Sequence, residues 1–377
     1  MSINTSKIKR DMLLGYLSNI KEFVSKNPDS SLLLDYISEL EEEIKYPSYG
    51  LVFEKHYEDI ERILETNDTE MVEQKELFIQ HGRRENLLIE GENLAVLRHL
   101  VKSYTCTIDV VCVDPPYNTG MSTLNYNDQD YADIKDLYIH SKWLSFMEKR
   151  LSIAKNLLTD NGVIFINIDE HETGTLILLC QQLFGEDNIN VLIWPKTDPK
   201  FDQNRVEKGF HNIKIVHEYV IVCFKNKSQT LFNHILVPMW STENEYKETQ
   251  THMESILKGF GTTSSAKDEL AEIFGNRYLF QTPKPKKLIK ELVRATAGKN
   301  AVILDFFAGS GTTGHAVMDL NKEDHGQRRF ILATNNENDI CRKITYERLK
   351  KAIEKEKYEE SLKYLKINYY LKKSMGY

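Results

Sequence analysis

From Asn86 onward, short apolar runs alternate with segments whose apolar residues recur at helical spacing. In chain order, we predict a strand within 87–93, helix 94–100, strand 108–113, helix 144–158, strand 162–168, helix 176–184, strand 219–224, helix 286–295, strand 302–306, a helix after Thr312 and strand 330–334. This alternation is typical of an α/β fold with a doubly wound, mainly parallel sheet. Ligands bind at the carboxyl ends of the strands in such folds, so we expect functional residues directly after the predicted strands.

The first 82 residues have a different pattern, which predicts a small helical domain. Their apolar residues recur at helical spacing in two runs, 13–24 and 33–44. This part of the chain is acidic, since residues 1–92 carry 11 Lys and Arg against 20 Asp and Glu. Residues 196–300 carry 17 against 12, so the net charge of −7 for the whole chain does not exclude a nucleic-acid partner.

The sequence Asp-Pro-Pro-Tyr at 114–117 places an acid and two prolines directly after a predicted strand. The run 108–113 is mostly β-branched and apolar, as in a strand that is covered on both faces. Each proline fixes a backbone angle and removes a donor, and the first keeps Asp114 out of the helical region. The segment therefore predicts a rigid corner that presents a carboxylate, free carbonyl groups and the Tyr117 ring.

This predicted corner has the groups that an exocyclic amine of a nucleobase needs in order to react. The lone pair of such an amine is conjugated with the ring, and acceptors for its two N–H groups favour a tetrahedral nitrogen. We predict the Asp114 carboxylate and the Pro115 carbonyl as these acceptors; preorganised groups of this kind contribute roughly 2.7 to 4 kcal/mol each. Tyr117 offers a face for stacking, worth about 1 to 3 kcal/mol per base. A base in a duplex would have to be flipped out to reach them.

Residues 301–317 have the pattern of a strand, a glycine-rich turn and the start of a helix. Gly309, Gly311 and Gly314 match GxGxxG, in which glycines allow a ligand to approach the backbone. The turn lacks the lysine of a triphosphate-binding loop. A further apolar strand ends near Glu337, an acid placed to bind ribose hydroxyls. NAD and S-adenosylmethionine both contain adenosine, so the pattern indicates a nucleoside-containing cofactor without choosing between them.

Cysteine, histidine and apolar patterning argue against other classes of protein. The five cysteines are scattered without a CxxC pair, and the eleven histidines show no metal-binding spacing, so we expect reduced thiols and no metal. No run of 18 apolar residues is present, and the first residues lack an apolar signal core. These features predict a cytoplasmic protein with no membrane partner.

Six segments together resemble one known family, the beta-class amino-methyltransferases of DNA. The segments are DPPYNTG (114–120), residues 140–172, HEYVIVCFKN (217–226), TPKPKKLIKELV (282–293), DFFAGSGTTGHAV (305–317) and RRFILATNNEN (328–338). Within that family the sequence looks like the modification subunits of type III restriction systems. The catalytic motif precedes the cofactor motif, which is the beta-class order.

The resemblance implies a seven-stranded, Rossmann-like sheet of the S-adenosylmethionine-dependent methyltransferase type. The implied catalytic residues are Asp114, Pro115, Pro116 and Tyr117. An aspartate at the first of these positions points to N6 of adenine, since the cytosine-N4 enzymes usually have serine there. The implied residues for binding S-adenosylmethionine are Glu92, Asn93, Lys284, Pro285, Asp305, Phe306, Phe307, Gly309, Gly311, Thr312 and Glu337.

The resemblance also implies double-stranded DNA as substrate, a homodimer, and a separate restriction or specificity subunit. It divides the chain into a helical N-terminal domain (1–82), a catalytic half (83–227), a short target-recognition region (228–280), and a cofactor-binding half with a C-terminal helix (281–377). The predicted DNA contacts are Asn118, Tyr126, Trp240 and Lys258. The basic residues that recur at helical spacing near residue 150 are predicted to form a solvated helix face; they are Lys142, Lys149, Arg150 and Lys155.

Two features depart from the family pattern, and they leave alternatives open. Gly91-Glu92-Asn93 stands where the family commonly has Gly-Asp-Asn, and only the 42 residues from 228 to 269 occupy the place of a large recognition domain. The alternatives are a non-catalytic DNA-binding or assembly subunit, a cytosine-N4 methyltransferase, a methylase of RNA or of a protein amide, and a nicotinamide-dependent oxidoreductase. The last would explain the glycines but leave the 114–117 motif without a use.

Overall fold

A computed structural model of the chain describes residues 5–24, 26, 31–45, 51–82, 84–119, 138–197, 213–240 and 246–372. The chain divides into two compact units, Met1–Val52 and Phe53–Tyr377. The sequence pattern placed the first boundary at residue 82 instead. The difference arises because a strand at 67–73 pairs with the sheet of the second unit, and this pairing between distant segments leaves no local pattern.

The first unit contains two helices, α1 (Thr5–Val24) and α2 (Ser31–Lys45), as the apolar spacing predicts. Lys21 and Glu41 form an ion pair at 2.9 Å that joins the two helices. Ile37 is buried, while many of the other apolar side chains on both helices are exposed. Each helix therefore has an apolar face that is only partly covered.

A mixed sheet organises the second unit. Its strands are β1 (Asn67–Glu73), β2 (Arg84–Glu90), β3 (Ile108–Val113), β4 (Leu158–Ile168), β5 (Ile189–Pro195), β6 (His217–Phe224), β9 (Val302–Asp305), β10 (Arg329–Thr334) and β11 (Glu360–Leu371). A separate antiparallel pair is formed by β7 (Ile235–Trp240) and β8 (Tyr246–Thr251). Among the described residues, the main sheet has nine strands, in the order β1-β11-β2-β10-β9-β3-β4-β6-β5.

The middle of this sheet is parallel, and antiparallel pairs lie at its two margins. From β11 to β4 every neighbouring pair is parallel, whereas β1 is antiparallel to β11, and β6 to both β4 and β5. The predicted α/β fold with a doubly wound, mainly parallel sheet is confirmed. It has two strands beyond the seven predicted, β1 and β11, which lie outside the motifs that carried the resemblance.

Helices connect the strands and pack on the sheet. They are α3 (Asp59–Thr66), α4 (Asn93–Tyr104), α5 (Ile139–Leu157), α6 (Thr173–Phe184), α7 (Thr263–Phe274), α8 (Lys286–Thr296), α9 (Thr312–Asp324) and α10 (Glu347–Glu356), the last preceded by a π-helical segment, Ile340–Tyr346. Helix α5 contacts α4 and α6, and α9 contacts α8 and α10. Two helical groups therefore accompany the sheet, as doubly wound folds require.

Alternate residues of the central strands are buried on opposite faces of the sheet. Val110 and Cys112 belong to a core cluster with Leu292 of α8 and Leu349 of α10. Val111 points the other way and is also buried. A strand that is covered on both faces has to be apolar throughout, which explains the continuous apolar run that ends at the Asp-Pro-Pro-Tyr motif.

Strands β3 and β9 lie side by side where the chain connections leave in opposite directions. Val111 pairs with Leu304 in parallel register, so the residues that follow Val113 and Asp305 emerge at the same edge. From β3 the chain passes through α5 to β4 on one side, and from β9 it passes through α9 to β10 on the other. Ligands bind at such reversal points in open α/β sheets.

Residues 228–280, predicted as a short recognition region, belong to the second unit. The Leu257 amide donates to the Ile193 carbonyl at 2.8 Å, and Trp194 Nε1 donates to the Gly261 carbonyl at 3.0 Å. These bonds tie the region to β5, at the margin of the sheet. A role for it in target recognition stays a prediction.

Candidate active site

A cleft of about 480 Å³ opens at the carboxyl ends of β3 and β9. Two predicted segments meet in it: the 114–117 motif, and the turn that follows β9 with Asp305, Phe307, Gly309 and Thr312. Lys284, from the segment before α8, also lines the cleft. The acid of the motif and the glycine-rich turn therefore lie in the same cleft, each directly after a predicted strand.

Side chains from two neighbouring elements hold the corner after β3. Trp143 of α5 donates from Nε1 to the Pro116 carbonyl at 2.7 Å, and Asn167 of β4 donates from Nδ2 to the Val113 carbonyl at 3.2 Å. Both side chains are almost inaccessible to solvent. The backbone on either side of Asp114 is therefore fixed, as the two prolines of the motif predict.

Both carboxylate oxygens of Asp114 have a donor nearby. Lys284 Nζ lies 2.9 Å from Oδ2, and the Tyr117 hydroxyl donates to Oδ1 at 2.7 Å. Burial raises the pKa of Asp114, and the favourable contacts with Lys284 and Tyr117 offset this effect only in part. Asp114 is therefore a more basic carboxylate than one in water.

Glu218, at the start of β6, is a second carboxylate in the cleft. Its Oε2 lies 3.3 Å from Lys284 Nζ and 3.2 Å from the Tyr117 hydroxyl, and its Oε1 lies 3.4 Å from Lys196 Nζ. Burial by itself would raise the pKa of Glu218, but the two lysines outweigh it and lower the pKa. Asp114, Lys284, Glu218 and Lys196 thus form a chain of alternating charge.

Lys284 is 6% exposed and enclosed by aromatic rings. Its Nζ lies 5.0 Å from the ring centre of Tyr117 and 5.8 Å from that of Trp194, within the range of cation–π attraction. Burial opposes its charge, but Asp114 and Glu218 outweigh burial and raise its pKa. Burial and the same two acids raise the pKa of Tyr117. The ammonium and the phenol therefore both keep their protons at neutral pH.

Asp305 ends β9 and organises the turn that follows it. Its Oδ1 accepts from the Phe307 amide at 2.9 Å, and its Oδ2 accepts from the Thr313 hydroxyl at 2.6 Å. Burial raises the pKa of Asp305 to about 7; the two hydrogen bonds lower it, and repulsion from Asp114 adds to the rise. The turn is therefore anchored on a carboxyl group that titrates near neutral pH.

The turn requires glycine at two positions. Gly309 has φ +48° and Gly311 has φ +78°, both in the left-handed region that favours glycine. A Cβ atom on Gly311 would also come within 3.1 Å of Thr345 Cγ2. Helix α9 begins directly afterwards at Thr312, so the turn leads into a helix N-terminus whose first N–H groups have no intrahelical partners.

Arg348 of α10 supports this turn from behind. Its Nη1 donates to Thr312 Oγ1 at 2.7 Å and to Ser310 Oγ at 3.1 Å. Glu269 of α7 lies 3.6 Å from Arg348 Nη2, and it accepts from the backbone amide of Lys286 at 3.1 Å. Burial lowers the pKa of Arg348 to about 10, so the side chain stays charged. Arg348 and Glu269 therefore connect the turn to the start of α8.

Two residues predicted to bind the cofactor, Glu92 and Asn93, lie at the start of α4. Glu92 caps this helix, because its Oε2 accepts from the amides of Leu94 at 2.7 Å and Ala95 at 3.2 Å. Arg150 of α5 donates to Glu92 Oε1 at 2.6 Å and to Asn93 Oδ1 at 2.5 Å. A contact between either side chain and a cofactor stays a prediction.

Arg150 also shows that the predicted solvated face of α5 is wrong. It is fully buried, and its guanidinium donates to Glu58 Oε2 at 2.9 Å. Lys149 pairs with Glu61. Helical spacing predicted which basic residues share a face, but not that the start of α3 would cover it.

Four further residues of the predicted cofactor site do not line the cleft: Phe306, Pro285, Glu337, and Gly311 within the turn itself. Phe306 is fully buried in the core, and Pro285 is the N-cap residue of α8. Glu337 is exposed in a short turn after β10, at the same edge of the sheet. A contact between Glu337 and a ribose therefore stays a prediction.

The predicted DNA contacts are only partly covered by the structure. Tyr126 lies outside the described residues, and so does the side chain of Trp240. Lys258 is exposed. Asn118 is buried, has φ +60° and donates from Nδ2 to Glu172 Oε1 at 2.5 Å. DNA binding by these residues stays a prediction.

Sequence reasoning assigned no role to Glu218, Lys196 or Arg348, although each reaches the cleft or the turn. Glu218 lies within HEYVIVCFKN, where the one signal was an acid at the entrance of an otherwise apolar strand. Lys196 and Arg348 lie in no recognised motif. Their roles depend on packing between segments that are far apart in the chain.

The described residues show few features of metal sites, disulfides or membrane-spanning helices. The group with metal-ligand spacing found there is Asp169, Glu170 and His171, and in it Asp169 Oδ2 lies 2.9 Å from His171 Nδ1. All five cysteines are free thiols, and of these Cys106 is exposed and the rest are buried. Within the described ranges, no helix has both the length and the apolar character needed to span a bilayer.

Known proteins are similar to this chain. The profile of the family described as DNA methylase matches residues 108–363. The StyLTI Mod subunit, a type III restriction-modification enzyme of Salmonella typhimurium, is 31% identical to the chain over 360 residues, covering 69% of this chain and 54% of that protein. The EcoPI Mod subunit of Escherichia phage P1, also type III, is 26% identical over 384 residues, covering 68% and 58% respectively.

A relative of another type is also similar. The type II methyltransferase M.KpnI of Klebsiella pneumoniae is 26% identical over 340 residues, covering 65% of this chain and 79% of that protein. The chain spans somewhat more than half the length of the two Mod subunits that it matches. The segment matched by the family profile, 108–363, contains every residue that lines the cleft.

Proposed function

This chain belongs to the DNA methylase family, and from that membership we propose that it transfers a methyl group from S-adenosylmethionine to N6 of adenine in DNA. The observation that carries the proposal is the meeting of the 114–117 corner and the glycine-rich turn in one cleft. The corner offers acceptors for an exocyclic amine. The turn offers a ligand-binding strand end directly beside it.

The residues of the turn fit an adenosine-containing cation. A Cβ atom on Gly309 would come within 3.3 Å of the Phe280 ring, so glycine keeps the space between the turn and that ring open. Buried Asp305 lies near half-buried Asp114, and the repulsion between the two carboxylates favours a cation in the cleft. S-adenosylmethionine, when bound, supplies a methyl group on a positively charged sulfur.

Asp114 and the Pro115 carbonyl act on the amine of the target base. They accept its two N–H groups and favour a tetrahedral nitrogen whose lone pair faces the methyl group. The nitrogen–carbon bond forms as the carbon–sulfur bond breaks, and the electron pair of the broken bond stays on sulfur. The nitrogen then loses one proton, and Asp114, whose pKa is raised by burial, is placed to accept it.

Tyr117 receives the ring of the base. It lines the cleft beside the acceptors, and stacking on an aromatic face contributes about 1 to 3 kcal/mol per base. A base within a duplex has to be flipped out to enter the cleft, which costs a few kcal/mol of pairing and stacking free energy. Stacking on Tyr117 and bonding to Asp114 offset part of that expense.

Labelled methyl transfer to unmethylated DNA tests the proposal. The protein and labelled S-adenosylmethionine are incubated with the DNA, which is then digested to nucleosides and analysed by mass spectrometry. We expect N6-methyladenine, and none with Asp114→Ala. Label on N4 of cytosine would correct the base. DNA binding without transfer under any condition would contradict the proposal and favour a non-catalytic assembly subunit.

We also propose that the protein acts in restriction-modification as a homodimer with a separate restriction or specificity subunit, in the cytoplasm. The names of two similar proteins, both type III Mod subunits, support this assignment. Light scattering tests the dimer, and a molar mass near the 43.9 kDa of one chain would contradict it. Sequencing of methylated bases in cells with and without the protein would give its target site.

A further inference from the structure

Two side chains of the protein compete with the target amine for hydrogen bonds to Asp114. Asp114 has to accept an N–H group of the target amine, yet Lys284 lies 2.9 Å from one of its oxygens and Tyr117 lies 2.7 Å from the other. Each carboxylate oxygen can accept a second bond. A cation at the same oxygen nevertheless weakens it as an acceptor and as a base. Asp114 would therefore act best after Lys284 withdraws from it.

Both competing donors already have the same second acceptor within reach. Glu218 Oε2 lies 3.3 Å from Lys284 Nζ and 3.2 Å from the Tyr117 hydroxyl. A shift of either donor away from Asp114 is therefore an exchange between two carboxylates. No buried polar group is left without a partner, which would be the expensive outcome.

The surrounding backbone keeps Glu218 in place for this exchange. Glu218 is 7% exposed and pairs with Trp194 across the β5–β6 ladder. Lys284 lies between two buried prolines, Pro283 and Pro285, the second of which is the N-cap of α8. The exchange therefore needs only a movement of side chains, over the short gap between two carboxylates.

We propose that Glu218 is a positioning residue for methyl transfer: it takes over the Lys284 ammonium and the Tyr117 hydroxyl when the target amine arrives at Asp114. The inference rests on the proposed function and adds to it a residue that acts through Lys284 and Tyr117 without touching the base. Lys196, 3.4 Å from Glu218 Oε1, balances the charge of Glu218 throughout. Four charged groups and one phenol thus work as a unit.

Glu218→Gln tests this role, because it keeps the shape of the side chain and removes its charge. Lys284 would then stay with Asp114. We expect the rate constant for transfer to fall roughly 10- to 100-fold, as for loss of a hydrogen bond to a charged group. The KM for S-adenosylmethionine should stay near that of the wild type. Single-turnover methylation of DNA that the wild type modifies would measure the rate constant, and steady-state methylation at several concentrations of S-adenosylmethionine would measure the KM.

Glu291→Gln is the matched control. Glu291 of α8 is also buried and ion-paired, with Arg294 Nε at 3.0 Å and the Leu236 amide at 2.8 Å, but it does not line the cleft. Both variants lose a buried carboxylate and both are expected to lose stability. Only Glu218→Gln should lose the transfer rate.

Lys284→Met provides the second arm and distinguishes positioning from simple destabilisation. Without the ammonium, only the Tyr117 hydroxyl competes with the target amine at Asp114, and Glu218 no longer has a cation to draw away. We therefore expect Glu218→Gln to have little further effect in the Lys284→Met background. The double variant also removes one buried cation together with its anion, so it keeps the test open if Glu218→Gln alone fails to fold.

The pH dependence gives a readout that a purely structural role would not change. The charged and titratable groups that act on Asp114 or its donors from the surrounding elements are Lys284, Tyr117, Glu218, Lys196, Asp169 and Asp305. Removing the negative charge of Glu218 lowers the pKa of Asp114. The acid limb of the pH–rate profile should therefore move to lower pH in Glu218→Gln and stay in place in Glu291→Gln.

The outcomes separate this inference from the proposed function. An inactive wild type would refute the proposed function itself. If the wild type is active, either of two results would refute the inference alone. The first is a wild-type rate and acid limb in Glu218→Gln. The second is an equal fold-loss of rate from Glu218→Gln in the wild-type and Lys284→Met backgrounds. The inference would be supported if Glu218→Gln, but not Glu291→Gln, lowered the rate and shifted the acid limb, and if Glu218→Gln had little further effect in the Lys284→Met background.

Discussion

The corner at 114–117 and the glycine-rich turn both place an aspartate at the end of a central strand, half-buried Asp114 and buried Asp305, but they hold it in different ways. The partners of Asp305 are a backbone amide and the Thr313 hydroxyl. The partners of Asp114 are two side chains, Lys284 and Tyr117, which have another acceptor nearby. One carboxyl group belongs to the scaffold, and the other belongs to an exchangeable network.

This difference follows from what each site has to do. A turn that binds a cofactor needs a constant shape, and backbone N–H groups and glycines in the left-handed region provide it. A corner that receives a base needs an acceptor whose partners can change, and long side chains in an ion-paired group provide that. The same strand-end geometry therefore serves two purposes, and changes in the two sites should have separable effects.

The largest effect is expected from Asp114→Asn. It preserves the volume of the side chain but replaces an acceptor by a weaker one, and loss of one preorganised group at a reacting centre reduces rates about 10²- to 10³-fold. Binding of S-adenosylmethionine, measured by calorimetry, should be retained because the turn is untouched. An equal loss of binding and of transfer would show that the two sites are not separable.

The second effect is a pH dependence of stability that belongs to Asp305. The pKa of Asp305 in the folded protein, about 7, lies above the ordinary 3.8. Its contribution to the free energy of unfolding is therefore fully present below pH 3.8 and is lost as the pH rises through about 7. This shift of the pKa corresponds to roughly 4 kcal/mol at most. Urea unfolding of the cofactor-free protein at several pH values from about 4 to 8 would measure most of this change.

Asp305→Asn is the reference for that series, because an amide cannot ionise. The wild type should lose stability relative to this variant as the pH rises, and parallel curves would contradict the assignment. The difference in unfolding free energy between the wild type and Asp114→Asn should change less with pH than the difference between the wild type and Asp305→Asn. The reason is that Lys284 compensates the charge of Asp114. The pair of series thus measures how differently the two carboxyl groups are held.

Sequence patterns predicted the frame of the site better than its charged network. The motif at 114–117 and the turn after Asp305 could be located because each combines an apolar strand with residues that restrict the backbone locally. The position of Glu218 opposite Lys284 could not be predicted in this way, because it depends on the antiparallel pairing of β6 with β4 and β5. An acid in an apolar strand indicates a partner, but not which one.

The same limit explains the errors outside the cleft. The burial of Arg150 needs Glu58, which is 92 positions away in the chain, and strand β1 needs β11 at the other end. Helical and strand periodicities are local, and they predicted most elements of 86–334 correctly. Contacts between the first and last parts of the second unit left no such periodicity.

The third effect is expected from Gly311→Ala in the turn. The φ angle of +78° and the 3.1 Å approach to Thr345 Cγ2 make any side chain unfavourable, and strain of this kind amounts to about 1 to 3 kcal/mol. We expect a lower free energy of unfolding and weaker cofactor binding. Gly298→Ala is the control, since a Cβ atom at that position would have no atom beyond its chain neighbours within 4 Å. Equal effects of the two changes would refute the argument.

The smallest effect concerns a third carboxylate at the same edge of the sheet, Glu92 after β2. Resemblance predicted that it binds the cofactor, whereas its Oε2 caps α4 and its Oε1 accepts from Arg150. Glu92→Gln should therefore lower the free energy of unfolding by about 1 kcal/mol, as for loss of a helix cap. Affinity for S-adenosylmethionine should not change, because the bonds of Glu92 are directed at α4 and α5. Weaker binding with unchanged stability would instead assign Glu92 to the cofactor site, and it would extend that site from β9 across β10 to β2.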